Sequence, residues 1–306
     1  MGNTRIYAKL TLVAIVWGAS FIAGSIVSAE MDATSAALWR YVVATITLVV
    51  VALAVERGLP KLTIKQWFGV VVLGVLGVAI YNLCFMYGLQ TVPASRASLI
   101  IALNPAATLV GGALFLHEPL SRYRVVGIAL ALLGVAVELS GGNPANLFNR
   151  GPLLGELAMF GCVISWAAYT LLGKRMLGEG VSSLAATTYA ALAGTLMLIA
   201  INAGTGNLHV PQVSVKVWSC IAFIGVFSTA LAYVWFYDGV RTIGPARTAV
   251  FINLVPVVAI ALSVLLLGEK LLPSMVIGAA LVVSGVFIIN RAPAATATRH
   301  VPAHTG

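Results

Sequence analysis

Arg40 is the one basic residue set well inside a long apolar run, about 10 Å along a helix from Thr34 at about 1.5 Å per residue. A charge in so apolar a setting is expensive and marks a functional hypothesis by default. In one reading it faces a cavity and binds a carboxylate, since a guanidinium can hold two oxygens at once. In the other it reaches out to lipid headgroups or caps a neighbouring helix end.

Aromatic and small polar side chains are spaced to share faces with such a charge. Trp17, Ser20, Phe21 and Gly24 fall at i, i+3, i+4 and i+7 of one helical run, and Trp166, Tyr169 and Gly173 repeat the pattern in another. Tyr81, Asn82 and Phe85 have counterparts Ala232, Tyr233 and Phe236 later in the chain. Together these residues suit an apolar site with a few hydroxyl and amide groups, and for each taken singly helix packing is the competing reading. Asn104-Pro105 and Pro256 interrupt two further runs. Proline removes a backbone donor and kinks a helix, so both prolines are candidate hinges, and static kinks are the alternative. Glu118 and Glu269 follow the ends of those same runs, where the helix dipole disfavours a carboxylate. They read as gate or loop anchors paired with Arg122, Arg124 or Lys270.

The chemistry that is missing narrows the field. None of the nine acidic residues and none of the four histidines lies in the middle of an apolar run. A proton relay through the middle of a membrane has no carrier there, so facilitated or weakly coupled transport is expected. There is no H-E-x-x-H, no G-x-S-x-G and no acidic cluster, so neither an enzyme nor a metal site is expected. No lysine sits mid-run for a Schiff base, and no cofactor is expected. Cys84, Cys162 and Cys220 are odd in number and lie in apolar runs, which argues against a disulfide framework.

Across the whole chain 60% of residues are hydrophobic and 9% are charged, with a mean hydropathy of +1.01. Soluble domains carry about 25% charged residues, so this chain belongs in a membrane, with lipid as its surroundings. The net charge of +9 then reflects loop placement of Lys and Arg rather than nucleic acid, which is not an expected partner.

Ten stretches are long enough to span: roughly Leu10–Val27, Thr34–Val55, Trp67–Gln90, Ala94–Leu116, Tyr123–Ser140, Pro152–Leu172, Ser182–Asn202, Val217–Tyr237, Ala246–Leu267 and Pro273–Ile289. The first lacks a small-x-small cleavage site and is expected to remain. Connections are short and turn-like, for example Thr91-Val92-Pro93 and Gly178-Glu179-Gly180. The tail after Arg291 is expected to be disordered and cytoplasmic. An N-terminus in the cytoplasm puts 13 Lys and Arg inside and 5 outside, so both termini are expected in the cytoplasm.

The chain also writes one segment twice. Shifted by 151 residues, Gly88–Val135 meets Gly239–Val286 without a gap, and 16 of 48 positions are identical. They include Gly88/Gly239, Arg96/Arg247, Pro105/Pro256, Glu118/Glu269, Gly127/Gly278 and Gly134/Gly285. Composition alone would give roughly four matches. Residues 1–145 and 146–290 therefore read as two five-helix repeats, followed by the tail 291–306. Five is odd, so the second repeat enters from the opposite side, and Glu118 and Glu269 should lie on opposite faces. The expected fold is all-α: ten transmembrane helices in two inverted repeats. Such repeats serve transporters, because rocking one against the other exposes a shared site alternately.

Trp17-Gly18-Ala19-Ser20-Phe21, Ser165-Trp166-Ala167-Ala168-Tyr169, Leu38-Trp39-Arg40-Tyr41 and the two blocks Pro105…Leu116-His117-Glu118 and Pro256…Leu267-Gly268-Glu269 carry a resemblance. On them the chain resembles the EamA-type family of the drug/metabolite transporter superfamily over nearly its whole length. The departure is Thr188-Tyr189, which stands where the first half has Arg40-Tyr41. The resemblance implies export of amino acids or related metabolites across a bacterial inner membrane, and it leaves a homodimer open. A carrier of nucleotide-sugar, lipid-linked or other phosphorylated metabolites is the alternative on the same scaffold. Phosphates would call for several inward Lys or Arg, and Arg40 stands alone.

Overall fold

The computed structural model describes residues 2–56, 58–145, 154–176 and 181–291. Among them there is no strand, and ten helices are long and apolar enough to cross a membrane. They are α1 (Thr4–Glu30), α2 (Ala33–Glu56), α3 (Ile64–Leu89), α4 (Ala94–Leu116), α5 (Arg122–Ser140), α6 (Leu154–Gly173), α7 (Ser183–Gly204), α8 (Val215–Val240), α9 (Arg247–Leu267) and α10 (Pro273–Arg291). The chain is an all-α, multi-pass membrane protein. The turn at Gly178-Glu179-Gly180, the tail after Arg291 and residue 146 at the repeat boundary lie outside the described residues.

Short polar side chains set where the helices begin. Thr63 forms a capping box before α3: its Oγ1 accepts from the Gln66 amide and Gln66 Oε1 accepts from the Thr63 amide. Asp32 Oδ1 takes the amides of Thr34 and Ser35, each at 3.0 Å, at the start of α2. Ser182 and Ser214 do the same for α7 and α8. At the other ends, α9 stops at Gly268 in left-handed geometry (φ 68°), while the matched position after α4 is His117 at φ 55°.

Apolar side chains point outward as lipid requires: Ile46 and Val50 on α2, Leu114 and Phe115 on α4, and Leu265 and Leu266 on α9 are all exposed. Polar contacts turn inward. Thr45 and Thr195 join α2 to α7 at 2.8 Å, and Asn202 Nδ2 donates to the Thr34 carbonyl at 3.1 Å. Each half packs mainly on the other, with α1 against α8 and α9, α3 against α6 and α7, and α2 against α7 and α8.

The α5–α10 pair shows why small residues recur. A Cβ on Gly127 would lie 2.7 Å from the Gly285 carbonyl oxygen, and one on Gly134 would lie 2.6 Å from that of Gly278. Only glycine lets the backbones approach this closely. Each contact joins a residue to the duplicate of the other contact's residue, the pattern a two-fold relation imposes. Glu269 touches the first residues of α4 and Glu118 follows its last, so the matched glutamates lie at opposite ends of a 23-residue helix. These placements fit the inverted-repeat expectation.

Four helices are irregular, in matched pairs. α4 breaks between Ile101 and Asn104, and α9 breaks at Asn253. α3 and α8 each contain a π-helical stretch, Gly74–Ile80 and Phe223–Leu231. Such stretches are rare and often mark functional positions.

Candidate functional site

Carbonyls of the π-helical stretches accept side-chain hydrogen bonds from the first helix of the opposite half. Trp17 Nε1 on α1 donates to the Ser228 carbonyl of α8 at 3.0 Å, and Ser165 Oγ on α6 donates to the Leu76 carbonyl of α3 at 2.6 Å. Ser20 Oγ reaches Ser228 Oγ at 2.9 Å as well as its own helix's carbonyls. Two polar locks therefore hold the halves together mid-bundle, and around them the aromatic side chains gather.

Trp17 meets Tyr233 and Phe236 of α8, with ring centroids 5.8 and 5.5 Å apart. Phe21, one turn further along α1, packs edge-on against Phe85 at 5.4 Å. From Phe85 the contacts run through Tyr81 to Trp166 and then Tyr169 of α6. The Tyr169 ring lies against Gly77, where a Cβ would come within 2.5 Å of it. Leu10, Val13, Ala14, Phe236, Phe251 and Ile252 gather around Trp17.

Arg40 projects from α2 into this ring of aromatics and is 8% exposed. Its guanidinium carbon stands 5.4 Å from the Phe85 ring centroid and 5.8 Å from that of Tyr41. Nε and Nη1 are buried and make no hydrogen bond. The side chain is therefore held within the bundle rather than extended to headgroups. Fully buried Asn82 donates Nδ2 to the Val78 carbonyl at 2.8 Å. Asn104 Oδ1, at the break in α4, is buried without a partner. Pro105 follows it in the first turn of the resumed helix, and Pro256 sits in the first turn of the part of α9 that resumes at Leu254.

A family model for the EamA-like transporter family matches residues 5–139 and 153–291. The chain belongs to that family. YyaM, an uncharacterised transporter of Bacillus subtilis (strain 168), is 30% identical over 288 residues, which cover 94% of this chain and 93% of the relative. A probable terminal-alkyne amino-acid exporter of Streptantibioticus cattleyicolor is 27% identical over 286 residues, 92% of each chain. A solved crystal structure superposes with a TM-score of 0.64 at 20% identity, covering 91% of this chain and 94% of the other, a likeness of fold.

In this EamA transporter the aromatic and polar residues singled out from the sequence fall in two touching groups. Trp17, Ser20, Tyr233 and Phe236 join α1 to α8. Phe21, Arg40, Tyr81, Asn82, Phe85, Trp166 and Tyr169 join α1, α2, α3 and α6. The glutamates depart from expectation. Neither Glu118 nor Glu269 pairs with Arg122, Arg124 or Lys270 among the described residues. Glu269 instead caps α4: Oε1 accepts from the Ala94 amide at 2.9 Å, and Oε2 accepts from the Ser95 amide and hydroxyl. A carboxylate that is unfavourable at the end of its own helix becomes favourable at the start of another. Glu118 is exposed and has no such bond.

Sequence reasoning missed the ion pairs at the two ends of the bundle. Arg96 bonds Glu156 and Glu138 at the Glu269 end, and Lys9 bonds Asp238 at the N-terminal end. Arg96 was marked by its duplicate Arg247, but no spacing rule connects it with α5 and α6. No group of three or more His, Cys, Asp or Glu among the described residues could hold a metal ion.

Proposed function

We propose that this transporter exports an amino acid, or a similar small metabolite bearing one carboxylate, across the bacterial inner membrane by alternating access. Both termini are cytoplasmic, and two inverted halves, 1–145 and 146–290, rock about the α1–α4 and α6–α9 interface. Pro105 and Pro256 serve as hinges at the breaks in α4 and α9. Glu118 and Glu269 anchor the gates at opposite ends.

The observation that carries the reading is the buried guanidinium of Arg40, with Nε and Nη1 unpartnered, beside Phe85 and Tyr41. A desolvated cation without a counter-ion costs several kcal/mol, and an arriving carboxylate offsets that cost. The aromatic faces of Trp17, Phe21, Trp166, Tyr169, Tyr233 and Phe236 suit the apolar part of the ligand, and Ser20, Asn82 and Asn104 suit its polar groups. One free guanidinium matches one carboxylate better than a pyrophosphate. The amino-acid exporter among the relatives supports the class.

The test is thermal stabilisation of the purified protein by a panel of amino acids and of phosphorylated metabolites. Stabilisation by carboxylate ligands, lost in Arg40→Ala, is expected. Stabilisation by the phosphorylated set alone would overturn the reading.

A further inference from the structure

Side chains from four elements meet at the end of the bundle where Glu269 lies. Arg96, in the first turn of α4, donates Nη1 to Glu156 Oε1 of α6 at 3.0 Å and Nε to Glu138 Oε1 of α5 at 3.4 Å. Two residues before it, Glu269 holds the Ala94 amide. Three carboxylates thus share one guanidinium and one helix N-terminus, which counts as about half a positive charge. Written as ions, the group carries surplus negative charge out of water.

The surplus falls on Glu138. Its side chain is 3% exposed. Its Oε1 has only the long contact with Arg96, and Oε2 is buried with no partner at all. Among the described residues no neighbouring element supplies the missing donor or cation. α10 presents Gly278, where a Cβ would come within 3.2 Å of the Glu138 Cβ, and α10 carries no titratable residue from Pro273 to Asn290. α4 contributes Arg96 as its only ionisable group. From α6 comes Glu156, and from the α9 end come Glu269 and Lys270, which is exposed and forms no ion pair among the described residues. The other charges of α5, Arg122 and Arg124, lie at its opposite end. A buried carboxylate oxygen without a donor is among the costliest arrangements in a protein, and a proton relieves it.

We propose that Glu138 is a proton-binding site that couples opening of this end of the bundle to proton release. With Arg96, Glu156 and Glu269 gathered, Glu138 Oε2 carries a proton and the carboxyl is neutral. When α4 parts from α5 and α6, water reaches the group, the proton passes from Oε2 to water, and the carboxylate stays ionised. Closure takes up one proton and opening returns one, with no other bond made or broken. The proton carrier missing from the middle of the spans is supplied at the gate. The coupling rests on the alternating-access reading; the protonation does not.

The test uses the full chain in lipid nanodiscs and needs no ligand. Infrared difference spectra between acid and alkaline pH should show a protonated-carboxyl C=O stretch at neutral pH that disappears in Glu138→Gln and persists in Glu156→Gln. The same band in Glu138→Gln, or no band in the wild type, overturns the assignment. Amide hydrogen exchange at 94–98, corrected for intrinsic rates, reads the gate. Protection should fall about tenfold per pH unit between the open-state and the closed-state titration of Glu138, because one proton is linked to one opening, and it should become pH-independent in Glu138→Gln. Exchange that ignores pH, or that follows Na+ in place of pH, overturns the coupling. A protein that no ligand stabilises would sink the transport reading and leave the infrared result intact.

Discussion

Replacing Arg40 by Met should make the empty transporter more stable and the ligand-bound one weaker, a pair of opposite signs that a structural arginine could not produce. The side chain is 8% exposed, and two of its three nitrogens are buried without a hydrogen bond. Burying such an ion costs several kcal/mol. Its visible compensation is two ring contacts, with Phe85 at 5.4 Å and Tyr41 at 5.8 Å, each worth about 0.5–2 kcal/mol. The balance leaves the unliganded state strained by about 1–4 kcal/mol, the range recovered when buried ions give way to apolar residues of similar volume. Met keeps the length and drops the charge. The native thiols provide the assay: Cys162 is buried, and Cys84 and Cys220 are half-buried, so a thiol-reactive fluorophore reports unfolding without labelling the chain. The melting temperature of Arg40→Met should rise by several degrees without ligand. The carboxylate ligand that stabilises the wild type should give no further shift. A lower melting temperature in the empty variant would refute the argument, since it would mean that Arg40 already has its partner.

Two further outcomes follow from local geometry. Gly134→Ala puts a methyl 2.6 Å from the Gly278 carbonyl oxygen and should cost about 1–3 kcal/mol of stability. Gly204→Ala meets nothing within 4 Å and should be neutral or slightly stabilising in the same melting assay. At Asp32, outside the spans, burial pushes the carboxyl up, but the hydrogen bonds from Thr34 and Ser35 together outweigh it and hold the group below its ordinary 3.8. A depressed carboxyl adds stability that is present above its unfolded value and is lost as pH falls through its folded one. Wild type should therefore lose its advantage over Asp32→Ala as pH drops below 3.8, and thermal melts across that range check it.

Much of the fold was legible because lipid removes alternatives. An apolar run of spanning length has to be a helix there, so the ten helices could be counted from the sequence, and matches such as Gly127/Gly278 and Gly134/Gly285 exposed the duplication. Helix ends shifted by several residues, as with α1, which starts at Thr4 rather than Leu10. Polar residues near a span end extend a helix at little cost, and hydropathy does not record it. The candidate site was legible by residue type and not by contact. Trp17, Arg40, Tyr81 and Trp166 stood out as costly or bulky groups in apolar runs. That Arg40 lies under Phe85, and that Trp17 bonds a carbonyl within a π-helical stretch, depends on how the helices cross.

By itself the sequence determined the spans, their irregular points at Asn104-Pro105 and Pro256, and a duplication whose odd helix count predicts that one half is turned over. These follow from period, length and composition, which are local quantities. Only the tertiary structure decided which charges have partners. Glu269 meets an amide 175 positions away along the chain, Arg96 reaches across 42 and 60 positions to Glu138 and Glu156, and Arg40 forms no ion pair among the described residues. Whether a buried charge is neutralised, shared or left waiting depends on distances of a few ångströms between helices, and no spacing along one chain encodes those.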